Sequence, residues 1–172
     1  MFRRLLVLIF VATCSVPLRA DSPEISPAQN DPGGWIVHNV KSEYQSGTTQ
    51  IRVLLPPNLK PEERLPVIYL LPVEAGTESK YGDSLSEVIR LGLQTQYRAL
   101  FVAPTFSHLP WYADHPTDPL IRQESYFLKV VLPFVEQSYS AQSTPQGRLL
   151  LGFSKSGWGA WSLLLRHPDT FG

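Results

Sequence analysis

Arg148-Leu149-Leu150-Leu151-Gly152-Phe153-Ser154-Lys155-Ser156-Gly157 is the stretch that decides the fold of this chain. An apolar run, Arg148 to Phe153, leads straight into a serine, and from Gly157 to Arg166 a helical pattern follows that ends before Pro168. A strand, a sharp turn carrying serine and then a helix form the arrangement that lifts a hydroxyl clear of a sheet. It reads here as a variant of G-x-S-x-G: Gly152-Phe153-Ser154-Lys155-Ser156. The positions two before and two after the serine must be small, because the turn folds back on the strand. Gly152 fits; Ser156 is larger than glycine and is a departure, with Gly157 beside it. A serine that only caps the last helix is the competing reading.

Working outward, two more continuous apolar runs precede this one, Leu65 to Leu71 and Ala99 to Ala103. Such runs suit strands covered on both faces. Helical patterns separate them: Ser84 with Glu87 spells a capping box ahead of Leu85, Val88, Ile89 and Leu93, and Ile121 to Ser138 carries apolar residues at helical spacing. Pro133 inside the second pattern predicts a kink or an early break. Further upstream, Trp35 to Lys41 and Thr49 to Leu55 read as a hairpin turning around Ser46 and Gly47. Buried strands alternating with helices predict an α/β architecture, a mostly parallel sheet covered on both faces with an antiparallel N-terminal hairpin. Ligands in such sheets bind beyond the carboxyl ends of the strands, here after Leu71, Ala103 and Phe153.

Of the 172 residues, 43% are hydrophobic and 17% charged, which is globular rather than disordered composition. The 15 basic and 15 acidic residues balance and form no stripe, so nucleic acid is not an expected partner. Residues 1–20 read as a secretory signal: Arg3 and Arg4, an apolar run from Leu5 to Val16, Pro17, and Ala20 before Asp21. The run is short for a bilayer span, which takes roughly 20 residues. Thr13 is a poor residue ahead of a lipid-modified Cys14. Export to a periplasmic or extracellular space is therefore expected, with no stable membrane span after cleavage. Cys14, the sole cysteine, leaves with the signal, so no disulfide or thiol chemistry is expected of the mature chain. Residues 21–34, rich in Pro and Gly, suit a flexible leader. The domain is expected over residues 35–172.

The chemistry read from these residues is nucleophilic. Ser154 is the candidate nucleophile, and the helix beginning at the turn points free N–H groups and a partial positive charge at it. The backbone N–H of Lys155 is the first candidate donor to an oxyanion, and the backbone N–H of Glu74, in the loop Pro72 to Gly76, is the second. Pro72 has no N–H to offer. Trp111 and Tyr112 are candidate substrate contacts. His108, Asp114, His115 and Asp118 lie in the same loop, where Pro110, Pro116 and Pro119 suggest turns rather than a triad or a metal site. No cofactor or metal is expected.

Leu151 to Gly172 (LGFSKSGWGAWSLLLRHPDTFG), with its Pro168-Asp169-Thr170-Phe171 ending, resembles the serine-turn region of the α/β-hydrolase family of esterases that includes esterase D-like, feruloyl, acetyl-xylan and enterochelin esterases and mycolyltransferases. Pro66 to Leu71 resembles the strand before the family's oxyanion loop. Leu132 to Glu136 (LPFVE) lies in a stretch similar to the helix before the serine turn. The resemblance implies serine-esterase activity on a small-molecule or carbohydrate ester. Acyl transfer on the same fold and a hydrolase-like binding module without catalysis are the alternatives. Two departures stand out: Pro72-Val73 where the family often has His-Gly, and Ser156. In this fold the acid and histidine follow the serine, yet only His167 and Asp169 do so here, at the far end of a helix roughly 15 Å long. The expectation is therefore a partial domain that stops after its nucleophile, inactive or nearly so as printed, with Leu149 to Leu151 left on an open sheet edge.

Overall fold

The computed structural model describes residues 22–172, so the signal segment 1–20 lies outside the described residues. Seven strands form one sheet: β1 (Glu24–Ile25), β2 (Gln29–Asn30), β3 (Ile36–Ser42), β4 (Gln45–Leu54), β5 (Val67–Leu70), β6 (Leu100–Pro104) and β7 (Arg148–Leu151). Their order is β1-β3-β4-β6-β5-β7, with β2 also on β3. The sheet is mixed: β5 runs parallel to both β6 and β7, and the pairs from β1 to β4, with β4 on β6, are antiparallel.

Period-two alternation explains why the apolar runs became strands. In β5, Val67 and Tyr69 face one core while Leu70 faces the other; in β6, Leu100 and Val102 oppose Phe101 and Ala103 in the same way. One face packs against helix α1 (Ser84–Leu91) through Leu85 and Val88. The other packs against Tyr126, Phe127, Val130, Leu132 and Val135 of the long helical stretch and Leu163 of the last helix. A short helix α2 (Leu93–Gln96) follows α1 across Gly92, whose φ of 66° suits glycine.

Four local expectations shift. The cap of α1 is Asp83, whose carboxylate accepts the Ser86 N–H at 2.9 Å, so Ser84 is the first helical residue rather than the cap. The hairpin turns at Glu43–Tyr44, and Ser46 and Gly47 lie within β4. Gln45 anchors that register: its buried side-chain oxygen accepts from Ser107 N–H and Oγ at 3.1 Å. Pro133 does not break its helix. Helices α3 (Gln123–Tyr126) and α4 (Leu132–Ser138) run on through one wide π turn, Phe127–Val131, ahead of the proline that lacks an N–H. Within the stretch read as leader, β1 and β2 pair with β3, whose otherwise open edge supplies partners for their backbone groups.

At the opposite end β7 is the edge strand. Leu151 is 53% exposed there, and Trp161 and Leu165 of helix α5 (Ser154–Arg166) are 65% and 73% exposed beside it. No helix among the described residues is long and apolar enough to cross a membrane.

Candidate active site

Strand β7 ends at Leu151, and two residues later the chain is turned sharply into α5. Ser154 makes that turn with φ +51°, a left-handed conformation that a residue with a Cβ adopts at a cost of about 1–3 kcal/mol. Gly152 permits it: a Cβ at that position would stand 2.4 Å from the Ser156 carbonyl oxygen. Ser156, fully buried, serves the turn in a way glycine could not. Its Oγ accepts the Phe153 N–H at 3.1 Å and lies 3.0 Å from the Phe153 carbonyl oxygen, to which it donates. Ser154 itself is exposed at the meeting of two hollows. One, of ≈ 350 Å³, is lined by Val73, Glu74, Tyr81, Phe153 and Lys155. The other, of ≈ 480 Å³, follows the open edge of β7 past Gly157, Trp161 and Phe171.

The loops after β5 and β6 complete the surroundings. Leu71 N–H donates to Leu151 C=O at 2.8 Å, holding the end of β5 level with the serine turn. Glu74 is largely buried because its carboxylate folds back to accept the Lys80 N–H at 2.8 Å. Its own backbone N–H has no acceptor among the described residues. The Lys155 N–H, in the first turn of α5, has no partner within the helix, since the carbonyl four residues back, Leu151, lies in β7 and accepts from Leu71. Lys155 Nζ lies 5.1 Å from the ring centre of Trp111, which is 57% exposed and stands edge-on to Trp158. Burial lowers the Lys155 pKa, and the Glu74 carboxylate opposes that shift.

The structure thus gathers Ser154, Lys155, Glu74 and, at the rim, Trp111. Tyr112 does not join them: it is fully buried with its ring against Gly159, so it has no surface to offer a substrate. Asp114 accepts from the N–H and Oγ of Ser125. His115 and Asp118 close a turn, with the Asp118 N–H donating to His115 Nδ1 at 3.0 Å. His108 bonds Ser107 at 3.1 Å, His38 bonds Ser26 and Tyr139, and His167 pairs with Glu124. None of the four histidines is hydrogen-bonded to Ser154. Sequence reading missed the pair Tyr81 and Phe153, edge-on at 6.0 Å, and the Arg52–Asp83 ion pair at 2.6 Å. These line a further hollow of ≈ 280 Å³ adjoining the first. Tyr81 precedes Gly82 in a loop of no periodicity, so only its proximity to β5 could have pointed to it.

A mixed sheet with helices on both faces and a left-handed serine between the third parallel strand and its helix defines the α/β-hydrolase class. Within that class the chain belongs to the family described as "Putative esterase", whose model matches residues 42–172. An S-formylglutathione hydrolase from Agrobacterium tumefaciens superposes with a TM-score of 0.62 at 19% identity, over 86% of this chain and 58% of that one. A ferulic acid esterase from the anaerobic fungus Anaeromyces mucronatus, solved with ferulic acid, matches with a TM-score of 0.58 at 18% identity over 87% and 56%. A fluorophosphonate-binding serine hydrolase from Staphylococcus aureus gives 0.61 at 16% over 85% and 55%. The chain therefore spans somewhat over half the length of these structures. No curated protein matches it.

Proposed function

We propose that this chain carries the nucleophile side of a serine esterase acting on carboxylic esters of small molecules or carbohydrates. The observation that carries the reading is Ser154: a serine held at φ +51° beyond the carboxyl end of β7, exposed to a hollow and backed by the first turn of a helix. Strain at an exposed serine is hard to account for by capping alone, since a capping serine sits comfortably in extended backbone.

In the proposed reaction Ser154 Oγ attacks the ester carbonyl carbon and surrenders its proton to a base. The tetrahedral oxyanion is held by the N–H groups of Lys155 and Glu74. Its collapse breaks the C–O bond to the alcohol, which leaves with a proton, and water then hydrolyses the acyl-serine to release the acid. Because no histidine among the described residues is bonded to Ser154, turnover by residues 22–172 alone is expected to be slow. Residues 1–20 are proposed to direct export.

The test is labelling of the full chain with a fluorophosphonate and mapping of the adduct by mass spectrometry. The expected result is one adduct at Ser154, abolished in Ser154→Ala. An intact, folded chain that takes no label would overturn the reading, and saccharide binding without labelling would favour a binding module instead.

A further inference from the structure

Tyr112 carries a strain that its burial does not require. It is a non-glycine residue at φ +58° with its side chain wholly inside the protein. Two elements hold its backbone there, α3 and α5. The N–H groups of Trp111 and Tyr112 both donate to Gln123 Oε1, at 2.7 and 3.2 Å, and the Gln123 amide donates back to the carbonyls of His108 and Leu109 at 3.3 and 3.2 Å. Gln123 is itself 1% exposed, so this clamp fixes the loop after β6 onto α3 without competition from water. The Tyr112 carbonyl accepts from the Arg166 guanidinium at the end of α5.

The ring then passes beneath α5. Gly159 makes the passage: a Cβ there would lie 2.1 Å from Cδ2 of Tyr112. On its other side the ring meets Phe106 edge-on at 5.5 Å. The hydroxyl emerges to donate to the carbonyl of Pro72. One side chain therefore spans from the loop after β6, under the helix that begins at Ser154, to the first residues of the loop after β5. Pro72 has no N–H, so its carbonyl is the one backbone hydrogen-bonding group by which its orientation is held. That carbonyl belongs to the peptide plane joining Pro72 to Val73, immediately before Glu74.

We propose that Tyr112 is a positioning residue, which sets the Glu74 N–H at its distance from the Lys155 N–H by holding the Pro72 carbonyl and the underside of α5 together. The proposal rests on the reading of Ser154 as nucleophile with those two donors. Its consequence is specific: the hydroxyl of Tyr112 matters to the rate of attack and not to the binding of the reagent.

The experiment is fluorophosphonate inactivation kinetics of the full chain, wild type against Tyr112→Phe, with Ser154→Ala as the blank and circular dichroism melting as the fold check. Removing only the hydroxyl is expected to lower the maximal inactivation rate on the order of tenfold, since a misplaced oxyanion donor costs rate. The half-saturating reagent concentration should stay close to wild type, and melting should remain cooperative, lowered by a few degrees for the lost buried hydrogen bond. An unchanged maximal rate, in a wild type that labels and an alanine blank that does not, overturns the role of Tyr112 and leaves Ser154 standing. A weaker half-saturation with unchanged maximal rate also overturns it. A folded wild type that never labels brings both down. Should Tyr112→Phe fail to fold, 3-fluorotyrosine at position 112 keeps the ring and alters only the donor strength of the hydroxyl; a maximal rate that does not move overturns the proposal.

Discussion

Gly152, Ser156 and Gly159 are each required by a contact that a different side chain would spoil. A methyl at 152 would press on backbone, which has no rotamer to yield, so Gly152→Ala is expected to cost about 1–3 kcal/mol in urea denaturation and to displace the serine turn. Gly159→Ala meets the Tyr112 ring and should cost a similar amount. Ser156 makes a subtler prediction. The G-x-S-x-G pattern has glycine there, yet Ser156→Gly removes both bonds to Phe153 and should destabilise by about 1–2 kcal/mol. A stability equal to or above wild type would show that the hydroxyl bridge contributes nothing.

Helix α1 shows how an element can be anchored by the residue that caps it. Burial works against the charge of Asp83, but the Ser86 N–H and the Arg52 guanidinium outweigh it and hold its pKa below the usual carboxylate value. A depressed carboxylate pKa contributes stability that is present above the unfolded value, about 3.9, and is lost as pH falls through the folded value. Unfolding measured between pH 7 and pH 2 should therefore show a loss in the acid limb that is smaller in Asp83→Ala. At neutral pH the same variant should be less stable by about 1 kcal/mol, the worth of a helix cap. An acid limb identical in the two proteins would remove Asp83 from the account. The shift of the cap from Ser84 to Asp83 has the same cause: a carboxylate that caps and pairs with Arg52 at once outcompetes a hydroxyl that could only cap. In the long helical stretch, the wide turn before Pro133 keeps Phe127, Val130 and Val135 on the core despite the missing donor.

At the scale of the whole molecule, the open edge of β7 and the exposed Trp161 and Leu165 form an apolar flank. Residues 22–172 expressed alone are expected to self-associate on size-exclusion chromatography, and the pair Trp161→Lys with Leu165→Lys to reduce that without lowering the melting temperature. Short continuous apolar runs separated by helical patterns were enough to place β5, β6, β7 and α5, because runs of that length between turn residues suit buried strands; that β7 is half-exposed at the sheet edge was not legible in its run. The serine turn was legible as well, since small residues around a serine after such a strand permit the tight bend that Ser154 makes at φ +51°. Local sequence could not reveal where the hairpin turned, which residue capped α1, or that Tyr112 lies in the core while Trp111 beside it stays in solvent. Those outcomes depend on partners far along the chain: Ser107 for Gln45, Arg52 for Asp83, and Gly159 and Pro72 for Tyr112. Periodicity is a property of neighbouring residues and is written in their order; a contact across dozens of residues comes into existence only when the sheet and helices bring its two sides together.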